Sequence, residues 1–163
     1  MAATPALDRV IASGKPYRIY EYAHDPGAAF GQEAAEALGT EPDRVFKTLV
    51  VVVPEGMAVA VIPVSTELDL KALARALGVK KVAMAEPEAA ERATGYVVGG
   101  ISPLGQKRHL PVVVDVSASS WPTVLISGGQ RGLELELDPT DLVVLADASL
   151  AQIARAPAHK QHH

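Results

Sequence analysis

The chain contains no cysteine among its 163 residues. Disulfides, thiolate metal sites and a cysteine nucleophile are therefore excluded. Aromatic residues are scarce, at 4%. No apolar run approaches the roughly 20 residues that a membrane-spanning helix needs. No basic segment followed by a short apolar stretch opens the chain, so a cytoplasmic protein with no membrane partner is the expectation. Positive charge is not in excess either: the formal net charge is −4. That argues against nonspecific coating of nucleic acid, whose strength grows with the number of phosphates neutralised.

What is present is a large apolar fraction, 48%, enough for one domain to bury a core without metals or crosslinks. One domain over residues 1–156 is expected, with a polar tail over 157–163 that carries His159, His162 and His163. The tail composition predicts disorder. The His and acid spacings match neither catalytic zinc motifs nor calcium loops, so no metal or cofactor is expected.

Taken in order, Thr4-Pro5 reads as a helix start, with Leu7, Val10 and Ile11 on one face and Gly14 beyond its end. Tyr17 to Tyr22 alternates as a strand, His24-Asp25-Pro26-Gly27 as a turn, and Phe30 to Leu38 as a helix closed by Gly39. Val45 to Val53 and Met57 to Pro63 form two β-branched runs joined by Pro54-Glu55-Gly56, a central hairpin. Asp69 caps a helix bearing Leu70, Leu73, Ala74 and Leu77, and Lys80 to Met84 reads as a short strand before a helix over Pro87 to Thr94. Val112 to Val116 predicts a buried strand. Thr123 to Ser127 and the alternating Leu133-Glu134-Leu135-Glu136-Leu137 predict a hairpin with one wet face. Asp138 to Leu145 is ambiguous in type, and Leu150 to Arg155 reads as a terminal helix.

Two loops carry the chemistry. Gly95 to Arg108 holds glycines at 99, 100 and 105 with Pro103, Ser102, Lys107 and Arg108, a strand-like run interrupted by residues that let a ligand approach the main chain. Such a loop binds an anion or a carbonyl oxygen, or is a hairpin corner with solvated cations. Ser127 to Gly132 is a second glycine loop. Lys47, at the start of the apolar hairpin, either snorkels from a strand end or points into a site.

These segments together resemble the YbaK-type branch of the prolyl-tRNA synthetase editing-domain superfamily. The resemblance rests on Tyr22-Ala23-His24-Asp25-Pro26, Val45-Phe46-Lys47-Thr48-Leu49, Leu68-Asp69-Leu70-Lys71, the Thr94 to Lys107 segment and Ser127-Gly128-Gly129-Gln130-Arg131-Gly132-Leu133, in one order from about Pro5 to Arg155. It implies an α/β (α+β) fold: a mixed, mostly antiparallel curved sheet or partial barrel with helices around it. It also implies an aminoacyl-tRNA deacylase, a carboxylic ester hydrolase that removes cysteine from mischarged Cys-tRNA(Pro). The implied partner is aminoacylated tRNA(Pro), with prolyl-tRNA synthetase as a further one.

Carried over, Lys47, Gly99, Gly100 and Ser102 fall at catalytic positions, and Tyr22, Phe30, Thr48, Ile101, Ser127, Gly128 and Glu134 at substrate-binding ones. Two departures stand out: Glu134 occupies a position where the family usually has aspartate, and Gly27-Ala28-Ala29-Phe30 lacks a polar residue before the phenylalanine. Main-chain N–H groups around Gly99 to Ser102 suit oxyanion stabilisation, with Lys47 adding charge or anchoring the substrate. No protein nucleophile is expected, because the family mechanism has the substrate thiol attack its own ester. A deacylase for Ala-tRNA(Pro) or another small amino acid, and a noncatalytic RNA- or nucleotide-binding module, are the alternatives. A basic patch near the pocket is expected from Lys71, Arg75, Lys107, Arg108 and Arg131.

Overall fold

A computed structural model of the chain describes residues 3–23 and 30–157. The His24 to Gly27 turn and the tail histidines lie outside them. Ten strands and five α-helices alternate along the described chain. Helix α1 (Pro5–Ser13) begins because the Thr4 hydroxyl accepts from the Leu7 N–H, satisfying one of the orphan donors of the first turn. Its Ala6, Leu7 and Val10 are buried, whereas Ile11, expected on the same face, is half exposed. Strand β1 (Arg18–Glu21) follows, then α2 (Phe30–Leu38).

The apolar hairpin is β2 (Phe46–Val53) and β3 (Gly56–Pro63), paired in register from Phe46↔Pro63 to Val53↔Gly56. It is the centre of a five-stranded sheet ordered β5-β2-β3-β6-β9, with β5 (Ala83–Met84), β6 (Val112–Asp115) and β9 (Ala148–Ala151). The pairings β3/β6 and β6/β9 are parallel and the rest antiparallel. One face packs α3 (Leu70–Leu77), capped by the Asp69 carboxylate on the Ala72 N–H; Leu73 and Ala74 meet Val51, Ala58, Ala60 and Ile62 there. The other face packs α1, α4 (Pro87–Thr94) and α5 (Pro139–Ala146), through residues such as Leu7, Ala90 and Leu142 against Val59, Val61 and Val112.

A second sheet, β1-β8-β7, consists of β7 (Val124–Gln130) and β8 (Leu133–Leu137) with β1 on its edge. A single parallel bridge, Val45↔Leu125, links it to the foot of β2. The mixed, mostly antiparallel architecture with surrounding helices is as the sequence implies.

Four local expectations are corrected. Leu150 to Arg155 is not a helix: β9 pairs with β6, and β10 (Ala154–Arg155) pairs with β4 (Glu67–Leu68). Asp115 explains the change, because its Oδ1 accepts from the N–H groups of both Ile153 and Ala154, at 2.9 Å each, holding that segment extended. Val116 leaves the sheet for a short 3-10 turn over Val116–Ser120, which the other oxygen of Asp115 caps. The face of β8 expected to be wet is largely covered: Glu134 is 6% exposed. Gly95 to Arg108 contains no strand.

Candidate active site

Strand β2 has two different neighbours on the edge facing away from β3. Val45 meets β7, whereas Val51 and Val52 meet β5. The Ala85 N–H donates to the Val50 C=O at 3.0 Å, and between that bond and Val45 the edge has no strand partner among the described residues. Val45 C=O accepts from the Val64 N–H at 2.8 Å on the β3 side. Antiparallel alternation therefore turns the main-chain groups of Phe46 and Thr48 toward the opposite side. A cavity of about 410 Å³ opens at this split. Its walls come from β2, α2, the start of α4, the glycine loop and the β7/β8 hairpin.

Lys47 lies in the wall. Burial pulls its ammonium pKa down, and Glu67 on β4 partly opposes that. The site lysine is thus neither fully solvated nor locked in an ion pair. Thr48 is also in the wall, and its buried Oγ1 has no hydrogen-bond partner among the described residues.

Across from β2 are Tyr22, Ser127 and Glu134. Ser127 and Glu134 are register partners on the β7/β8 hairpin, whose pairing jumps between Ser127 and Gln130 through the bulge at Gly128-Gly129. The bulge N–H of Gly129 donates to the Ser127 hydroxyl at 3.2 Å. Glu134 has no hydrogen-bond or ion-pair partner among the described residues, and burial alone pushes its pKa up to about 8. It is therefore an uncharged acid over most of the neutral range. The Tyr22 hydroxyl is pushed up to about 12, by burial first and then by the Glu134 and Glu33 carboxylates.

The glycine loop supplies the third wall through Val98, Gly99 and Ile101. Gly99 has φ 95, a left-handed conformation that side-chain-bearing residues avoid. Gly100 faces away from the cavity: a Cβ on it would stand 2.6 Å from the Gln130 Cα, so the two glycine loops close on each other there. Its N–H is already used by the Val97 C=O at 2.9 Å. It is not a free donor for an oxyanion.

Ser102 is also outside the cavity wall. It is fully buried, and its hydroxyl accepts from the Leu104 N–H at 3.2 Å, a turn-forming contact rather than a reactive one. Gly128 likewise lies behind the wall, where its C=O accepts from the Thr4 hydroxyl at 2.6 Å. The structure thus brings together Tyr22, Lys47, Thr48, Gly99, Ile101, Ser127 and Glu134, and sets Gly100, Ser102 and Gly128 behind them as support. Phe30 opens α2, but its side chain lies outside what is described.

This arrangement of a strand-edge lysine, two abutting glycine loops and a buried acid coincides with a match to the family model for the aminoacyl-tRNA editing domain over residues 24–156. The chain belongs to the aminoacyl-tRNA editing domain family. One relative within it is a protein of Enterococcus faecalis described as a candidate Cys-tRNA(Pro)/Cys-tRNA(Cys) deacylase, EbsC. It is 40% identical over 151 residues, 92% of each chain. The proline–tRNA ligase of Shouchella clausii is 35% identical over 80% of this chain, which corresponds to only 22% of the ligase. A crystal structure described as that of a candidate trans-editing enzyme for prolyl-tRNA synthetase superimposes with a TM-score of 0.81 at 26% identity, over 95% of this chain and all of that one.

Within this editing domain the expected single basic patch is divided. Lys71 and Arg75 are exposed on α3, on the far side of the five-stranded sheet from α1 and α4. Arg131 is paired with Glu33 at 3.2 Å. Lys107 and Arg108 line a separate cleft. Sequence reasoning did not anticipate that Gln32 and Ala34 of α2, Met84 of β5 or Val98 would be wall residues. Their signal is the break in edge pairing of β2, which only the fold reveals. Among the described residues no group of three or more His, Asp or Glu side chains is placed to hold a metal, and no helix is long and apolar enough to cross a membrane.

Proposed function

We propose that this editing domain hydrolyses the ester linking cysteine to the 3′ end of mischarged tRNA(Pro). The observation that supports it most is the chemical content of the cavity. Among the described residues it holds one lysine of lowered pKa, one uncharged carboxylic acid and the main chain of a glycine loop, and no histidine. Ser127 is the one serine among the described wall residues, and its hydroxyl accepts from a main-chain N–H, with no hydrogen bond to Lys47 or Glu134 that would activate it. A site built this way orients an ester and stabilises charge, leaving the nucleophile to the substrate.

The thiol of the cysteinyl group supplies one. Sulfur attacks the ester carbonyl, a C–S bond forms, and charge accumulates on the carbonyl oxygen. Collapse breaks the C–O bond and the 3′ oxygen leaves carrying a proton that balances the one lost by sulfur. Water then opens the resulting four-membered thiolactone to free cysteine. Lys47 contributes positive charge toward the oxyanion or holds the terminal nucleotide. Gly99 lets the main chain approach closely, and Glu134 presents an uncharged O–H to the leaving or entering oxygen. Tyr22, Thr48 and Ile101 form the walls that position the aminoacyl group. Prolyl-tRNA synthetase is the proposed source of the mischarged substrate.

The test is release of free amino acid from Cys-tRNA(Pro), Ala-tRNA(Pro) and Pro-tRNA(Pro) by the purified protein. Release from the cysteinyl substrate well above the other two is expected. Release from Ala-tRNA(Pro) alone would keep the deacylase and reject attack by the substrate thiol, and no release from any would reject the enzyme.

A further inference from the structure

The Gly95 to Arg108 loop serves two concavities, and only the first belongs to the site above. After Ile101 the chain turns through Pro103 and enters a second cleft, lined by Arg9 of α1, Gln106, Lys107, Arg108 and His109, with Asp147 at the end of α5 opposite. Arg9, Lys107 and Arg108 are exposed, and none is held in an ion pair among the described residues. Asp147 is the one acid in the lining, and His109 stands against it at 3.3 Å. Three permanent cations therefore face the cleft against one acid, on a protein whose net charge is −4. Such a local reversal of sign focuses an attractive field on a polyanion.

The cations stand on anchored main chain. The Lys107 N–H donates to the Thr94 C=O at 2.8 Å and the Arg108 N–H to the Ala93 C=O at 3.1 Å, tying both to the end of α4. Gln106 Nε2 donates to the Ser102 C=O at 3.0 Å, and the Tyr96 hydroxyl to the Leu104 C=O at 2.6 Å. Gly105 is packed against α1, since a Cβ there would stand 2.6 Å from the Pro5 carbonyl. The segment joining the cleft to the cavity is thus fixed at both ends. Ile101 in one wall and Pro103 in the other are two residues apart, no more than about 7 Å between Cα atoms. Ile101 of the cavity and Leu110, Val112 and Leu145 of the cleft belong to the core on the α1 and α4 side of the five-stranded sheet, whereas α3 with Lys71 and Arg75 packs on the other.

We propose that the Arg9, Lys107 and Arg108 cleft holds the phosphodiester backbone of the tRNA acceptor arm, upstream of the esterified 3′ end in the Lys47 cavity. This rests on the deacylase reading for its substrate. The cleft contributes affinity and register, while the cavity contributes the chemistry; phosphate contacts position without reading sequence.

The experiment uses the full chain with Arg9→Gln, Lys107→Gln and Arg108→Gln combined, and a control carrying Lys71→Gln and Arg75→Gln. Binding of deacylated tRNA(Pro) is measured by fluorescence anisotropy across a salt series, and turnover is measured on Cys-tRNA(Pro) and on 3′-cysteinyl-adenosine. The cleft variant should bind tRNA roughly 10- to 100-fold more weakly at low salt, with a salt slope shallower by about 2, as expected for losing two or three phosphate contacts. Its KM for Cys-tRNA(Pro) should rise while turnover of the adenosine ester stays at the wild-type level, and the control should behave as wild type. Unchanged affinity and slope would overturn the proposal, as would equal losses on both substrates or an equal effect in the control. Lys107→Arg alone should retain wild-type affinity if charge is what matters, and loss there would also count against it. Should the wild type bind tRNA but hydrolyse neither ester, the deacylase reading fails, and the binding series still decides the cleft.

Discussion

Glu134 and Glu136 are two residues apart on one strand and point to the same face, yet their surroundings drive them in opposite directions. For Glu136, burial pushes the pKa up, but hydrogen bonds from Thr123 and Tyr20 and the Arg44 guanidinium outweigh it and hold the carboxyl below the ordinary range. Both carboxylate oxygens have donors, and Arg44 also reaches the Thr123 main chain at 2.8 Å. Glu134 has burial and nothing to offset it, so its pKa rises to about 8. The first carboxylate ties β1, β7 and β8 to the turn before β2. The second stands at a cavity wall with no partner among the described residues. A buried acid without a compensating partner is a cost to folding, and such costs concentrate at functional sites.

The largest effect on stability should come from Glu136→Ala. It strands the Arg44 guanidinium and two hydroxyls, and because Arg44 is a quarter exposed the expected loss is about 2–4 kcal/mol, read by urea denaturation at pH 7. A loss below 1 kcal/mol would break the comparison from that side.

Glu134→Gln should act oppositely and with pH. Since the folded-state pKa of Glu134 lies above its ordinary value of 4.5, the folded protein keeps a proton that the unfolded chain releases. The contribution is fully present below about pH 4.5 and is lost as pH rises through about 8. The wild type should lose up to about 1.4 kcal/mol per pH unit in that window from this group, and the glutamine variant should lack that component. Parallel stability profiles for the two proteins would show that Glu134 is ionised in the folded state.

Gly100→Ala tests whether the wall depends on the two glycine loops closing behind it. Its Cβ would meet the Gln130 and Arg131 main chain at 2.6–2.8 Å, and backbone cannot swing aside as a side chain can. A destabilisation of about 1–3 kcal/mol is expected, with turnover reduced even at temperatures where the variant is fully folded. The smallest effect should come from Thr123→Val, which removes one of three donors to Glu136 and should cost about 1 kcal/mol with no change in turnover.

The same pair of glutamates shows why the sequence was only partly legible. Local chemistry announces itself: Thr4 and Asp69 cap helices through their own side chains, Pro87 starts one, and the β-branched run of β2 and β3 has few alternatives, whereas the segment after Asp138 reads as ambiguous although Asp138 caps α5 in the same way. Leu-Glu-Leu-Glu-Leu announces alternation correctly, but alternation says only that two faces differ. What covers the polar face is decided by Arg44 and Tyr20, about 90 or more residues away in the chain. Leu150 to Arg155 failed for a similar reason, since the carboxylate that holds it extended belongs to Asp115. At the site, Lys47, Tyr22, Ser127 and Glu134 were legible as residues. That Ser102 and Gly100 stand behind the wall was not, because residue type does not record direction.

In the proposed reaction the cavity positions and polarises the ester while the substrate supplies the nucleophile. Single-turnover release of amino acid from Cys-tRNA(Pro) and from S-methylcysteinyl-tRNA(Pro), by the wild type and Lys47→Ala, tests it most directly. Fast release is expected only where the thiol is free, reduced on the order of 10²–10³-fold by Lys47→Ala, the range for removing one group that meets developing charge. Equal release from the two substrates, or full activity without the lysine, would contradict it.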